Sequence, residues 1–317
     1  MMFFEYLTPV SKKLIEQVQL LSNSCLGHKI VFHSDNDFPD LKKVKLALIR
    51  VLDNRGDAKL NELPNQDHFR NAFYSLYPGN WEFSMADLGD LKAGETQEDT
   101  YFAVKKIISE LIKNGIIPII IGGTQDLTYP IYRSYDTLEQ MVNLVIIDAK
   151  FDLGTQSKEN TNDSYLSKIL TNEPHNLYNF SNIGYQTYFN SQEEIDLLEK
   201  MHFDTYRLGE IVEDISIAEP VLRDADFVSL DINAVKYSAT GSLENFQPNG
   251  LDGVEVCKLA RYAGISDKVT SFGVFNLTNT KSEAVLLSEI IWYFIEGYHY
   301  RSNEYPFKSK SEYSKYY

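Results

Sequence analysis

Two short apolar runs constrain this chain more than any other feature. They are Ile-Ile-Pro-Ile-Ile-Ile at 116–121 and Val-Asn-Leu-Val-Ile-Ile at 142–147, separated by a helix-length interval. Each ends in a polar cluster: Gly122-Gly123-Thr124-Gln125-Asp126 after the first, Asp148-Ala149-Lys150-Phe151-Asp152 after the second. Runs of this length, bounded by Gly and Asp, suit strands buried on both faces of a parallel sheet. A third run at 227–233, Phe-Val-Ser-Leu-Asp-Ile-Asn, ends the same way. Open α/β sheets bind ligands outside the carboxyl ends of their strands. The three clusters are therefore expected to share one site.

Along the chain, 9–21 reads as a helix, 44–51 as a strand, 69–76 as a helix and 81–88 as an edge-like strand. A helix is expected over 96–114, opened by Thr96 with Glu98 and Asp99 and closed by Asn114-Gly115. Strand 116–121, helix 125–135 and strand 142–147 then give the strand–helix–strand rhythm of a parallel sheet. Polar loops at 155–163 and 238–250 flank a strand at 182–188, a helix at 192–201, a helix at 211–224 stepped at Pro220, and a strand at 227–232. A helix at 252–263 and a strand at 269–277 follow. Thr280-Lys281-Ser282-Glu283 reads as a capping box opening a last helix to about residue 300. No composition break interrupts this order, so 1–317 reads as one α/β domain, with 1–43 an N-terminal extension and 302–317 a peripheral tail.

The net charge of −15 and the pI near 4.9 argue against nucleic acid and anionic membrane as partners. Cys25 and Cys257 fit a reduced compartment better than a disulfide framework. The start, Met-Met-Phe-Phe-Glu-Tyr, lacks a basic segment before an apolar core, and no run approaches the roughly 20 apolar residues of a membrane span. A cytoplasmic protein is expected. The six histidines, at 28, 33, 68, 175, 202 and 299, have no ligand spacing.

In an extended segment Asp148, Lys150 and Asp152 alternate onto one side, as do Asp231 and Asn233. Carboxylates at the mouth of a buried sheet are costly unless paired or metal-bound. An oxygen-ligated hard cation is one solution and an internal ion pair the other.

The order Gly-Gly-x-x, Asp-Ala-x-x-Asp and Leu-Asp-x-x resembles the ureohydrolases, the arginase, agmatinase and formimidoylglutamase group. The resemblance runs over roughly 44–300 and includes Asp-Asn-Arg-Gly at 53–56, Pro-Asn-Gly-Leu at 248–251 and Ala-Arg-Tyr-Ala-Gly at 260–264, which are most similar to the formimidoylglutamase-like branch. It implies a three-layer α/β/α fold around a mostly parallel sheet of about eight strands. Members of that group carry Gly-Gly-Asp-His, Asp-Ala-His-x-Asp and Ser-x-Asp-x-Asp at these strand ends, and the six side chains hold two manganese ions bridged by hydroxide. Carried over position by position, the first histidine falls on Gln125 and the second on Lys150. Asp148, Asp152 and Asp231 are kept, the partner of Asp231 becomes Asn233, and a glutamate after the following strand falls on Asn276.

An amide oxygen is a weaker donor than imidazole for manganese, and a charged lysine has no lone pair to give. Lys150 is therefore expected to replace the metal as internal counter-ion to the three aspartates. The resemblance then implies a ureohydrolase-like protein with a degenerate manganese site, inactive toward guanidino or formimidoyl groups and kept for binding or assembly. No cofactor is expected, and Mn2+ only if the chain is active. A small-molecule ligand and a homo-oligomer are the expected partners. The alternative is a hydrolase using a single Mg2+ or Mn2+ on the surviving aspartates, and a third reading makes Lys150 a base or nucleophile.

Overall fold

A computed structural model describes residues 3–57, 67–138, 140–154, 161–242, 247–278 and 280–303. The strands are β1 (Leu7–Thr8), β2 (Ile30–Phe32), β3 (Val44–Leu52), β4 (Ser84–Lys92), β5 (Ile117–Ile121), β6 (Val142–Ile147), β7 (Leu177–Tyr185), β8 (Asp204–Arg207), β9 (Phe227–Asp231) and β10 (Ser271–Phe275). The helices are α1 (Lys12–Gln19), α2 (His68–Ser75), α3 (Gln97–Lys113), α4 (Thr128–Ser134), α5 (Tyr165–Thr171), α6 (Gln192–Lys200), α7 (Leu208–Glu213), α8 (Ala218–Arg223), α9 (Tyr237–Thr240), α10 (Gly253–Ile265) and α11 (Lys281–His299).

The strands form one sheet in the order β1-β4-β3-β5-β10-β9-β6-β7-β8, with β2 also paired to β4. All pairings are parallel except β1 with β4. The sheet has ten strands, more than the eight expected, because the 1–43 segment contributes β1 and β2. For the same reason β4 is not an edge: it is flanked by β1 and β3 and also pairs β2.

Residue alternation divides the interior into two cores, one on each face of the sheet. Leu46, Leu48, Ile119, Ile121, Val145, Ile147, Val228, Leu230, Phe272 and Val274 pack with α2, α8, α10 and α11. Ala47, Ile49, Ile120, Leu144, Ile146 and Phe227 pack on the other face with α3, α4, α5 and α6. This is a three-layer α/β/α architecture. Phe272 stacks on Phe294 of α11 with ring centroids 4.4 Å apart, tying the last helix to the sheet.

The caps explain where helices begin. Thr96 and Asp99 form a reciprocal capping box at the start of α3, and Asn114 closes it. At α11, Thr280 accepts from the Glu283 amide as expected, but the buried Glu283 carboxylate takes the Thr278 amide and hydroxyl instead of the cap residue's amide. The helix expected over 211–224 is two helices, α7 and α8, with the break at Asp214 rather than at Pro220. Among the described residues no helix is long and apolar enough to cross a membrane. Residues 304–317, most of the expected tail, lie outside the described residues, as do 155–160 and 243–246 of the two polar loops.

Candidate functional site

Strands β5, β10, β9 and β6 are consecutive in the sheet, so their carboxyl ends lie side by side. Asp231 closes β9. Its Oδ1 accepts the Asn233 amide at 2.8 Å, and its Oδ2 accepts Asn276 Nδ2 at 2.9 Å and Asn233 Nδ2 at 3.4 Å. Asn276 follows β10, fully buried, with φ 61. Its amide donates to Gly123 O at 2.9 Å, and its Oδ1 accepts the Gln125 amide at 3.1 Å and Asn162 Nδ2 at 3.0 Å. Asn162 Oδ1 also accepts the Gln125 amide, at 2.7 Å.

Asp148 follows β6 and is buried. Its Oδ1 accepts the Lys150 amide at 2.9 Å, and its Oδ2 is buried without a partner among the described residues. Gln125 is fully buried. Its Nε2 lies 3.5 Å from Ser229 Oγ, which is bonded to Thr128 Oγ1 at 2.7 Å, and its Oε1, like Asn233 Oδ1, has no partner among the described residues.

The three aspartates sense one another. Burial and then Asp152 hold the Asp148 carboxyl well above the ordinary range. Burial and then Asp231 push Asp152 up to about 8, and burial and then Asp148 push Asp231 well above its ordinary value. Desolvation is the largest cause in each case, the neighbouring carboxylates add to it, and the Lys150 charge only partly offsets it at Asp148 and Asp152. Tyr165, at the start of α5, faces the same group: burial and then Asp152, Asp148 and Asp231 hold its phenol un-ionised.

Lys150 corrects the expected counter-ion. Asp152 has φ 53, and Asp148–Asp152 leaves the extended path, so the assumed alternation fails. The Lys150 amide caps Asp148, but the ammonium reaches outward to Asp163 Oδ1 at 3.2 Å. The two side chains are 48% and 74% exposed. Burial works against the Lys150 charge, but Asp163 and then Asp152 outweigh it and raise its pKa. Keeping an ammonium hydrated costs less than taking it out of water.

A second buried group lies beside the first. Asp53 accepts Arg55 Nε at 3.0 Å, Arg55 Nη2 at 2.5 Å and Thr100 Oγ1 at 2.6 Å. Arg55 also donates to Glu95 O and Thr96 O, so it fastens the β3 loop to the start of α3 and is not left open to a ligand. Asp126, bonded by Tyr101 OH and Gln97 Nε2, is pushed up to about 7 by burial, against the hydrogen bonds from Thr124 and Tyr101.

The arginase family's model matches residues 65–292 of this chain. The chain belongs to the arginase family. An uncharacterized 32.2 kDa protein in the hmfB 3′ region of Methanothermus fervidus is 24% identical over 186 residues, 56% of this chain. The match spans 62% of that relative's length, less than two thirds. Among solved structures, Trypanosoma cruzi formiminoglutamase with Mn2+ superposes with a TM-score of 0.73 at 15% identity, covering 84% of this chain and 97% of that one. Bacillus subtilis formimidoylglutamase gives 0.72 at 16% identity, with 85% and 94% covered. The agmatine ureohydrolase of Thermoplasma volcanium gives 0.68 at 18%, with 89% and 96% covered. These likenesses establish the fold of this arginase-family chain.

A pair of manganese ions does not fit the donors at its strand ends. Gln125 and Lys150, the positions that the resemblance sets against histidines, supply no nitrogen lone pair. Both oxygens of Asp231 are engaged by N–H groups. Among the described residues no three His, Cys, Asp or Glu side chains are grouped to hold one metal ion.

Sequence reasoning placed Gln125, Asp148, Asp152, Asp231, Asn233 and Asn276 together, and the structure brings all six to adjoining strand ends. It missed Asn162, Asp163 and Tyr165. Asn162 and Asp163 lie in a segment read only as a polar loop, where no periodicity distinguishes a site residue from its neighbours.

Proposed function

We propose that this arginase-family chain uses its strand-end carboxyl group to bind a small organic cation rich in N–H donors, an amidinium or guanidinium, and does not carry out two-manganese hydrolysis. One observation carries the reading: apart from the Tyr165 hydroxyl, what remains unpartnered in the site among the described residues is acceptor oxygen. Among the described residues Asp148 Oδ2, Gln125 Oε1 and Asn233 Oδ1 are buried without hydrogen-bond partners, near the Asp152 and Asp231 carboxyl groups, while the Lys150 ammonium reaches out to Asp163. A planar amidinium brings both positive charge and a fork of N–H donors matched to a carboxylate. Without a metal to generate hydroxide near neutral pH, hydrolysis of such a group lacks its nucleophile. The similar structures named formimidoylglutamase and agmatine ureohydrolase support the ligand class, and the three motifs at 53–56, 248–251 and 260–264 support the formimidoylglutamase-like branch. The two free, buried cysteines support a reduced, cytoplasmic setting. Homo-oligomeric assembly goes with this reading and is checked by light scattering.

The test combines metal analysis of protein purified without chelator, calorimetry with arginine, agmatine and formimidoylglutamate, and assays for urea, ammonia or formamide. Saturable binding of at least one cation without product release is expected. Absence of binding by the whole panel overturns the proposal. The same unpartnered oxygens favour a second reading, a single oxygen-ligated Mg2+ or Mn2+ serving C–N hydrolysis of a formimidoyl or guanidino substrate. Stoichiometric metal together with product release selects it.

A further inference from the structure

We infer that the side-chain amide of Asn276 takes the place of a metal ion in this site, supplying the donor that holds Asp231 and making the constellation independent of divalent cations.

In a metal site, ligand carboxylates are held by the cation they share. Here the protein does that holding itself. Asn276 Nδ2 donates to Asp231 Oδ2 at 2.9 Å, and the Asn233 amide takes Oδ1 at 2.8 Å, so both oxygens of Asp231 are held by N–H donors of the chain itself. Through its other atoms Asn276 joins the remaining pieces: its amide bonds Gly123 O after β5, and its Oδ1 gathers the Gln125 amide and Asn162 Nδ2. One fully buried side chain thus links the ends of β5, β9 and β10 with the loop beyond β6.

The residue type matters at both levels. Its φ of 61 lies in the left-handed region, where asparagine is better tolerated than most side chains. The glutamate that the family resemblance places here has no N–H to give, and would set a second negative charge against Asp231. That arrangement needs a cation nearby, whereas the asparagine needs none. The exchanges at 125, 150, 233 and 276 read as one coordinated change: nitrogen and carboxylate ligands are lost, and an amide donor enters where the charge would have been left unbalanced.

The inference rests on the part of the proposed function that excludes the manganese pair, and not on the organic cation. Its test is thermal unfolding of the full chain in EDTA and in millimolar MgCl2, MnCl2 or CaCl2. The wild-type melting temperature is expected to be the same in all four. Asn276→Asp, nearly isosteric, is expected to melt on the order of 5 °C lower in EDTA and to recover with a divalent ion. Asn276→Gly keeps the left-handed backbone and removes the donor; it is expected to melt lower in EDTA and not to recover. A divalent ion that raises the wild-type melting temperature overturns the inference, and so does Asn276→Asp melting like wild type in EDTA. If Asn276→Asp does not fold, Asn276→Gly decides, and its melting like wild type overturns the inference. Failure of every amidinium probe to bind leaves these readings unaffected, so the two proposals fail separately.

Discussion

The Arg70 guanidinium grips the Asp87 carboxylate through two N–H bonds, Nε to Oδ2 at 2.8 Å and Nη2 to Oδ1 at 2.9 Å, and both side chains are buried. Tyr74 OH donates to the same carboxylate at 2.7 Å, and Arg70 Nη1 reaches Asp90 at 2.6 Å. Arg50 holds Asp90 from the other side, through Nε at 3.1 Å and Nη2 at 2.7 Å, and also bonds Asp67. Two arginines and three aspartates thus fasten α2 to β3 and β4.

Removing Arg70 leaves Asp87 buried without its counter-charge. Arg70→Leu is expected to cost about 3–5 kcal/mol, measured by urea unfolding. Arg70→Lys keeps the charge but not the fork, and a substantial loss is expected there too. A loss below about 1 kcal/mol for the leucine variant, the scale of a surface pair, would show that the network is not holding α2.

Asp90 and Asp53 are carboxyls expected to contribute to stability on the acid side. Burial works against the ionisation of Asp90, but Arg70 and then Arg50 outweigh it and hold its carboxyl below the ordinary range. Burial likewise opposes Asp53 ionisation, and the Arg55 and Thr100 hydrogen bonds outweigh it. A carboxyl lowered in the folded state contributes stability that is complete above the unfolded value of about 3.9 and is lost as pH falls through the folded pKa. Asp67 and Asp226, raised by burial, run the opposite way and favour the folded state as pH falls. Asp90→Asn is therefore expected to be less stable at neutral pH, and its loss of stability below about pH 4 shallower than wild type's. Urea midpoints across that range read it, and an unchanged acid slope refutes it.

The one ion pair that Lys150→Ala removes among the described residues is the solvent-exposed pair with Asp163. The expected change in stability is within about 0.5 kcal/mol. An ammonium serving as internal counter-ion would instead leave buried carboxylates unpaired and cost about 3–5 kcal/mol, so one denaturation curve separates the two roles.

Helices α10 and α11 meet backbone to backbone at Gly264 and Gly297. A Cβ on Gly297 would lie 2.4 Å from Arg261 O and 2.9 Å from the Gly264 Cα. Gly297→Ala should therefore force the helices apart and cost on the order of 1–3 kcal/mol, despite the better intrinsic helix propensity of alanine. A stabilised variant in thermal unfolding would mean that the contact yields freely.

The short apolar runs were legible as buried strands because parallel strands covered on both faces have few other compositions, and β5, β6 and β9 lie where the runs predict. Thr96 and Thr280 were legible as helix starts because capping is local. The edge role given to β4 failed because strand order depends on pairing partners distant in sequence, here β1 and β2.

At the site the division is the same. The sequence by itself determined which residue types stand at the strand ends, including the absence of histidine at 125 and 150, because strand ends follow from local pattern. Only the tertiary structure decided what those residues do. The Lys150 ammonium turns outward because an exposed Asp163 lies within reach and an ammonium keeps its hydration there. Asp231 is satisfied by Asn276 from 45 residues away, and Gln125 meets Asn276 across 151 residues. Hydrogen-bond partners chosen over such separations are fixed by how the strands pack, and no local signal in the chain encodes them.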